Sequence, residues 1–166
     1  MRKSTLVILV ALLLPTMAYA QKDAGFYGAV VDQVSLMFKV DSPTRIQVEL
    51  LTQKELQKWF KEEFVKNCTK GWRGNIDRRI YCSQEADNVK AFLKGRWIPE
   101  DDTGYFHVIL HENSGLETFI HEYMHYVLHY MTEPAGLVND HAVLHPMVVD
   151  IMTSPEFIEF LEGLEK

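Results

Sequence analysis

From Leu116 to Met131 apolar residues recur at Leu116, Phe119, Ile120, Tyr123, Met124, Val127, Leu128 and Met131, the 3.6-residue rhythm of a helix that buries one stripe. A chain carrying that stripe must lay a helix against a core, and the flanking residues mark its ends. Ser114-Gly115-Leu116-Glu117 fits a capping box, in which the Ser and Glu side chains satisfy first-turn amides, while Pro134 and Gly136 stop the helix. At about 100° per residue, His121 and His125 point roughly 110 to 160° away from the centre of the stripe. They face something other than the main core.

Those two histidines belong to the run His121-Glu122-Tyr123-Met124-His125. On a helix, i and i+4 imidazoles sit one turn apart on one face and can reach the same tetrahedral Zn²⁺, with the intervening Glu122 beside them as a base. All seven histidines of the chain fall between His107 and His145, the clustered supply a metal site needs. A third ligand is expected from the segment that follows. His145 is preferred, because its distance from His125 lets a turn at 134–139 fold the chain back over the metal. His141, one helical turn earlier, is nearly as good, and Asp150 could be a ligand or the acceptor that fixes an imidazole tautomer. Asp140 is a further candidate. His129 rises about 6 Å beyond His125 and reads as cleft wall. Glu133 is too close in sequence, and Thr153-Ser154-Pro155-Glu156 reads as a capping box that gives Glu156 to the start of a last helix, with Glu159 and Glu162 on its solvent face.

The N-terminus has the form of a secretory signal peptide over residues 1–20: Arg2 and Lys3, an apolar run from Leu6 to Leu14, then Ala18-Tyr19-Ala20 before Gln21. The run is short for a membrane span and no Cys follows it to take a lipid, so a periplasmic or secreted protein without a membrane anchor is expected. The mature chain, 21–166, is sized for one domain. Losing Arg2 and Lys3 moves the net charge from −6 to −8, with 15 bases against 23 acids. That balance disfavours nucleic acid as a partner, and Arg73, Arg78 and Arg79 read as a solvated loop face. The two cysteines, Cys68 and Cys82, are expected to form a disulfide in an exported chain.

Elsewhere the pattern predicts a helix over Phe26 to Val40, broken at Ser42-Pro43. A strand through Ile46, Val48 and Leu50 follows, then a helix opened by Thr52-Gln53-Lys54-Glu55 that carries Leu56, Trp59, Phe60 and Phe64. Residues 71–77 read as loop, Ile80 to Cys82 as a short strand and Glu85 to Leu93 as a helix ending at Gly95. Pro99 to Gly104 reads as an acidic turn leading into a strand from Tyr105 to His111. The fold class expected is a single small α+β domain, with a small mixed sheet packed on the His-bearing helix and further helices.

Over residues 105–153 the order strand, short loop, HExxH helix, turn and second helix resembles a minimal zincin metallopeptidase. The run from His121 to His129 is similar to the HExxHxxLH form of gluzincin-like domains of the ImmA and IrrE type. The metzincin pattern is absent, since Leu128 and Met131 stand where it needs Gly and His. The resemblance implies that Tyr105 to His111 walls the cleft and pairs with an extended peptide. It also implies a zinc-dependent endopeptidase acting on peptide or protein substrates. Glu122 would take a proton from a zinc-bound water, whose pKa falls towards about 7, and pass it to the leaving amine. Tyr126, Tyr130 or whichever of His141 and His145 is not a ligand would steady the oxyanion. The alternative is a non-catalytic exported protein that uses a zincin-like or His-rich site to bind zinc or a partner.

Overall fold

The computed structural model describes residues 24–70, 76–90, 93–99, 104–131 and 141–164. The signal-peptide reading of residues 1–20, and the turn expected at 134–139, lie outside them. Among the described residues there are six helices and three strands, in the order α1 (Ala24–Phe38), β1 (Arg45–Leu51), α2 (Gln53–Cys68), α3 (Ile76–Lys90), β2 (Gly95–Ile98), β3 (Tyr105–His111), α4 (Leu116–Met131), α5 (His141–Thr153) and α6 (Pro155–Leu164). No helix among the described residues is long and apolar enough to cross a membrane.

The sheet is mixed and its order is β1-β3-β2, with β1 parallel and β2 antiparallel to β3. Alternation sets its two faces. Phe106, Val108 and Leu110 are buried on one side, where Phe106 meets Phe119, Tyr123 and Tyr126 of α4 edge-on, at centroid distances of 5.8, 5.0 and 5.4 Å. Ile46 and Val48 of β1 pack against the same core. On the other face, towards α2, Glu49 pairs with His107 at 3.0 Å and the Tyr105 hydroxyl donates to Gln47.

Because β3 is the central strand, its backbone pairs on both edges. The expected pairing of Tyr105–His111 with an extended peptide is therefore blocked by β1 and β2. The edge strands are β1 and β2, and β2 is too short and too interrupted by Gly95 to show in the sequence. Gly95 was expected to end a helix; it opens β2 instead.

The stripe of α4 is buried as its spacing predicts, from Leu116 through Leu128. Its start differs. The Gly115 carbonyl accepts the first helical bonds, from Thr118 and Phe119, and the Ser114 hydroxyl donates to the Lys94 carbonyl at 2.6 Å rather than capping the helix. Ser114 thus ties the head of α4 to the residue that leads into β2. On the core side, the Tyr123 hydroxyl and Ser35 of α1 share a buried hydrogen bond of 2.6 Å, and Ser35 also donates to the Val31 carbonyl.

At α2 the capping box forms as expected, between Thr52 and Glu55. The strand expected at Ile80–Cys82 and the loop at 76–77 are instead parts of the continuous helix α3, which also carries Arg78 and Arg79. Its buried side is made of small residues, Cys82 and Ala86, while Ile76, Ile80 and Tyr81 are exposed. The apolar residues therefore advertise the wrong face. Cys68 and Cys82 are joined in a disulfide that clamps α3 to the end of α2. At the start of α6, Ser154 rather than Thr153 is the cap: its hydroxyl accepts from the Phe157 amide at 3.2 Å, with Pro155 in the first helical position. Glu156 sits one residue short of the capping-box place.

The disulfide closes a loop of 14 residues' separation, for which chain entropy gives roughly 3 kcal/mol. The Cys68→Ala/Cys82→Ala double variant should lose about that much stability in urea denaturation.

Candidate metal centre

The α4 stripe fixes the rotation of the helix, and the opposite face follows from it. His121 and His125 project towards α5, where His141 and His145 repeat the i, i+4 spacing, while Glu122 turns towards β2. The ligand atoms of His121, His125 and His141 all lie within 4.8 Å of one another. Ring centroids are 4.9 Å apart for His121 and His125, 5.0 Å for His121 and His141, and 5.4 Å for His125 and His141. His145, preferred on spacing, lies beside this group, its ring 5.2 Å from His121 and 5.7 Å from His141. Asp150 is exposed further along α5, outside the cluster, and Asp140 lies outside the described residues.

This donor set fits a metal ion. Tetrahedral coordination at about 2.0–2.1 Å needs nitrogens roughly 3.4 Å apart, within reach of 4.8 Å by small ring rotations. Imidazoles crowded together cannot all carry a proton. Burial, followed by the charges of His125, His141 and His145, depresses the pKa of His121 to about 4. Its lone pair is free at neutral pH, and a cation held among the rings replaces mutual repulsion with coordination. Imidazole suits the divalent transition metals generally.

Glu122 is 7% exposed, and one carboxylate oxygen accepts the Trp97 amide at 2.6 Å. Pairing of Lys94 with His111 through the His111 amide sets the parity of β2, so Gly95 and Trp97 turn their backbone groups away from β3. Glu122 therefore caps an outward amide of the edge strand. Burial raises its pKa to about 7, against the opposing pull of the Trp97 amide and the Arg96 charge. The carboxyl is poised to hold or release a proton near neutrality.

The strand can come this close only because residue 95 lacks a side chain. A Cβ there would stand 2.7 Å from Leu110 Cδ2, 3.0 Å from Thr118 Cγ2 and 3.4 Å from Glu122 Cγ.

The four histidines and Glu122 open onto a cleft of about 610 Å³ that also meets Gly95 and Arg96 of β2 together with Lys94 just before it, and Phe60 and Phe64 of α2. Other expected participants lie elsewhere. His129 packs its ring 5.1 Å from Trp97 and does not border this cleft. Tyr126 is buried among Phe106, Tyr123 and Tyr130, and Tyr130 meets Tyr126 and His129 edge-on. Of the oxyanion candidates, the cleft holds His141 and His145. Sequence reasoning missed Gly95, Arg96, the Trp97 amide and the α2 wall, none of which carries a motif.

No family model, curated protein or solved structure matches this chain. The functional reading rests on the site's own geometry and on the HExxH pattern.

Gly95→Ala should force β2 and α4 apart where Leu110 and Thr118 are packed. A loss of about 1–3 kcal/mol in chemical denaturation is expected, together with loss of slow hydrogen exchange at the Trp97 amide; wild-type protection in the variant would contradict the close packing described.

Proposed function

We propose that the protein is an exported zinc-dependent peptidase of zincin type, with His121, His125 and His141 as the metal ligands and Glu122 as the general base. The observation that carries this reading is the meeting of three imidazoles with a buried, proton-poised carboxylate in one open cleft. Bound Zn²⁺ would supply Lewis acidity to a peptide carbonyl and acidity to a water. The chain's own residues do the rest. The cleft admits an extended segment along β2, the edge strand that borders it, in place of β3. Glu122, held by the Trp97 amide, takes the proton of the attacking water and returns it to the leaving amine, a role suited to a carboxyl with a pKa of about 7. His145, adjacent to the triad and bordering the cleft, is the donor available to the oxyanion. Export agrees with the signal-peptide reading and is compatible with the Cys68–Cys82 disulfide.

One observation favours a second reading. His145 lies close enough to the triad to close the site as a fourth ligand, which would make the zinc structural and the protein a metal-binding or interaction module. A cobalt-substituted sample separates the two: its visible spectrum changes on adding a peptide hydroxamate only where a coordination position is open.

Glu122→Gln should keep the metal and cut hydrolysis of a cleaved peptide by at least about 100-fold, the usual scale of general-base catalysis. Peptide turnover by that variant at the wild-type rate would remove Glu122 from the mechanism.

A further inference from the structure

A second cavity of about 740 Å³ lies on the α2 side of the sheet, walled by Trp59, Phe60 and Phe64 with Ile98, Pro99 and Ile109. It is continuous with the histidine-bearing cleft, since Phe60, Phe64 and Arg96 border both. At the junction, Lys94, immediately before β2, and Arg96 within it alternate along the chain and so share one face. Neither side chain is held in a hydrogen bond or contact ion pair among the described residues, although the Arg96 charge acts on Glu122 across the cleft. In a chain of net charge −6, these two cations at one short edge strand form a local positive stripe. The nearest acids leave it open: Glu122 is engaged with the Trp97 amide. Glu63 borders the aromatic cavity but is paired with Lys66 at 3.0 Å, and Glu117 stands across the cleft on α4.

Resting on the peptidase reading above, we propose that this surface selects the substrate: an extended peptide with a bulky apolar side chain in the aromatic cavity and a carboxylate two residues away on Lys94 and Arg96. The spacing follows from strand geometry. Side chains on one face of an added strand recur every second residue, as Arg96 and Ile98 do on β2, so a peptide beside that edge presents matching residues at i and i+2. The apolar cavity supplies affinity and the cations supply discrimination against basic sequences. Arg96 and Phe64 are thus specificity-determining residues that contribute nothing to metal binding.

Binding, rather than turnover, is the direct test. Fluorescein-labelled peptides containing Phe-Gly-Glu, Glu-Gly-Phe, Phe-Gly-Lys and Ala-Gly-Glu would be titrated by anisotropy against the zinc-loaded, full-length mature Glu122→Gln protein. At least one of the Phe/Glu peptides should bind roughly tenfold or more tightly than both the Lys and the Ala peptides. In the same background Arg96→Glu should invert the preference between Glu and Lys, and Phe64→Ala should abolish the preference for Phe. Both variants should keep their helical circular dichroism and metal content. Equal affinity across the panel, absence of binding, or a Glu preference that survives Arg96→Glu would overturn the proposal. Wild-type hydrolysis of the same panel is scored separately. Selective binding without hydrolysis would sink the peptidase reading and leave this surface standing, and hydrolysis without selectivity would do the reverse.

Discussion

The rotational setting of α4 is the constraint on which the site depends. Phe119, Ile120, Tyr123, Met124, Val127 and Leu128 are buried against the sheet and neighbouring helices, each worth about 1.5–3 kcal/mol as removed apolar surface. The Tyr123–Ser35 hydrogen bond adds direction to that burial. Turning α4 by even one residue would give up several of these contacts, so the opposite face has no freedom of its own. His121 and His125 are presented to α5, and Glu122 to β2, because the stripe is presented to β3. The cost of burying Glu122, roughly 3 kcal/mol once it ionises above its raised pKa of about 7, is smaller than the stripe's contribution and does not shift the helix.

A second dependence runs through β2. Gly95 permits the approach to α4, the Trp97 amide then reaches Glu122, and Ser114 pins the head of α4 to Lys94. The same short strand carries Arg96 into both cavities. Four residues of edge strand therefore join Glu122, the cleft and the apolar groove, while the disulfide between α2 and α3 braces the groove's far wall.

Much of this was legible in the sequence where a periodic pattern coincided with burial. The α4 stripe, the strands β1 and β3, and the Thr52 capping box emerged with nearly their observed bounds. What failed to show had a physical reason in each case. Helix α3 hides its buried side in Cys82 and Ala86 and exposes Ile76 and Ile80, so its periodicity misleads. Strand β2 is too short for alternation and begins with a glycine. Spacing favours His145 over His141 and Asp150, but a count of residues from His125 does not fix where α5 begins or which way it enters; the helix starts at His141 and brings that residue into the triad.

The central claim is that α4 and α5 together hold one zinc through His121, His125 and His141. Zinc per mature chain, measured by elemental analysis after dialysis against a weak chelator, tests it most directly across the single alanine variants of the four clustered histidines. The account predicts one zinc in the wild type and in His145→Ala, and none in His121→Ala, His125→Ala or His141→Ala. Zinc retained by His141→Ala but lost from His145→Ala, or no retained zinc in the wild type, would contradict it.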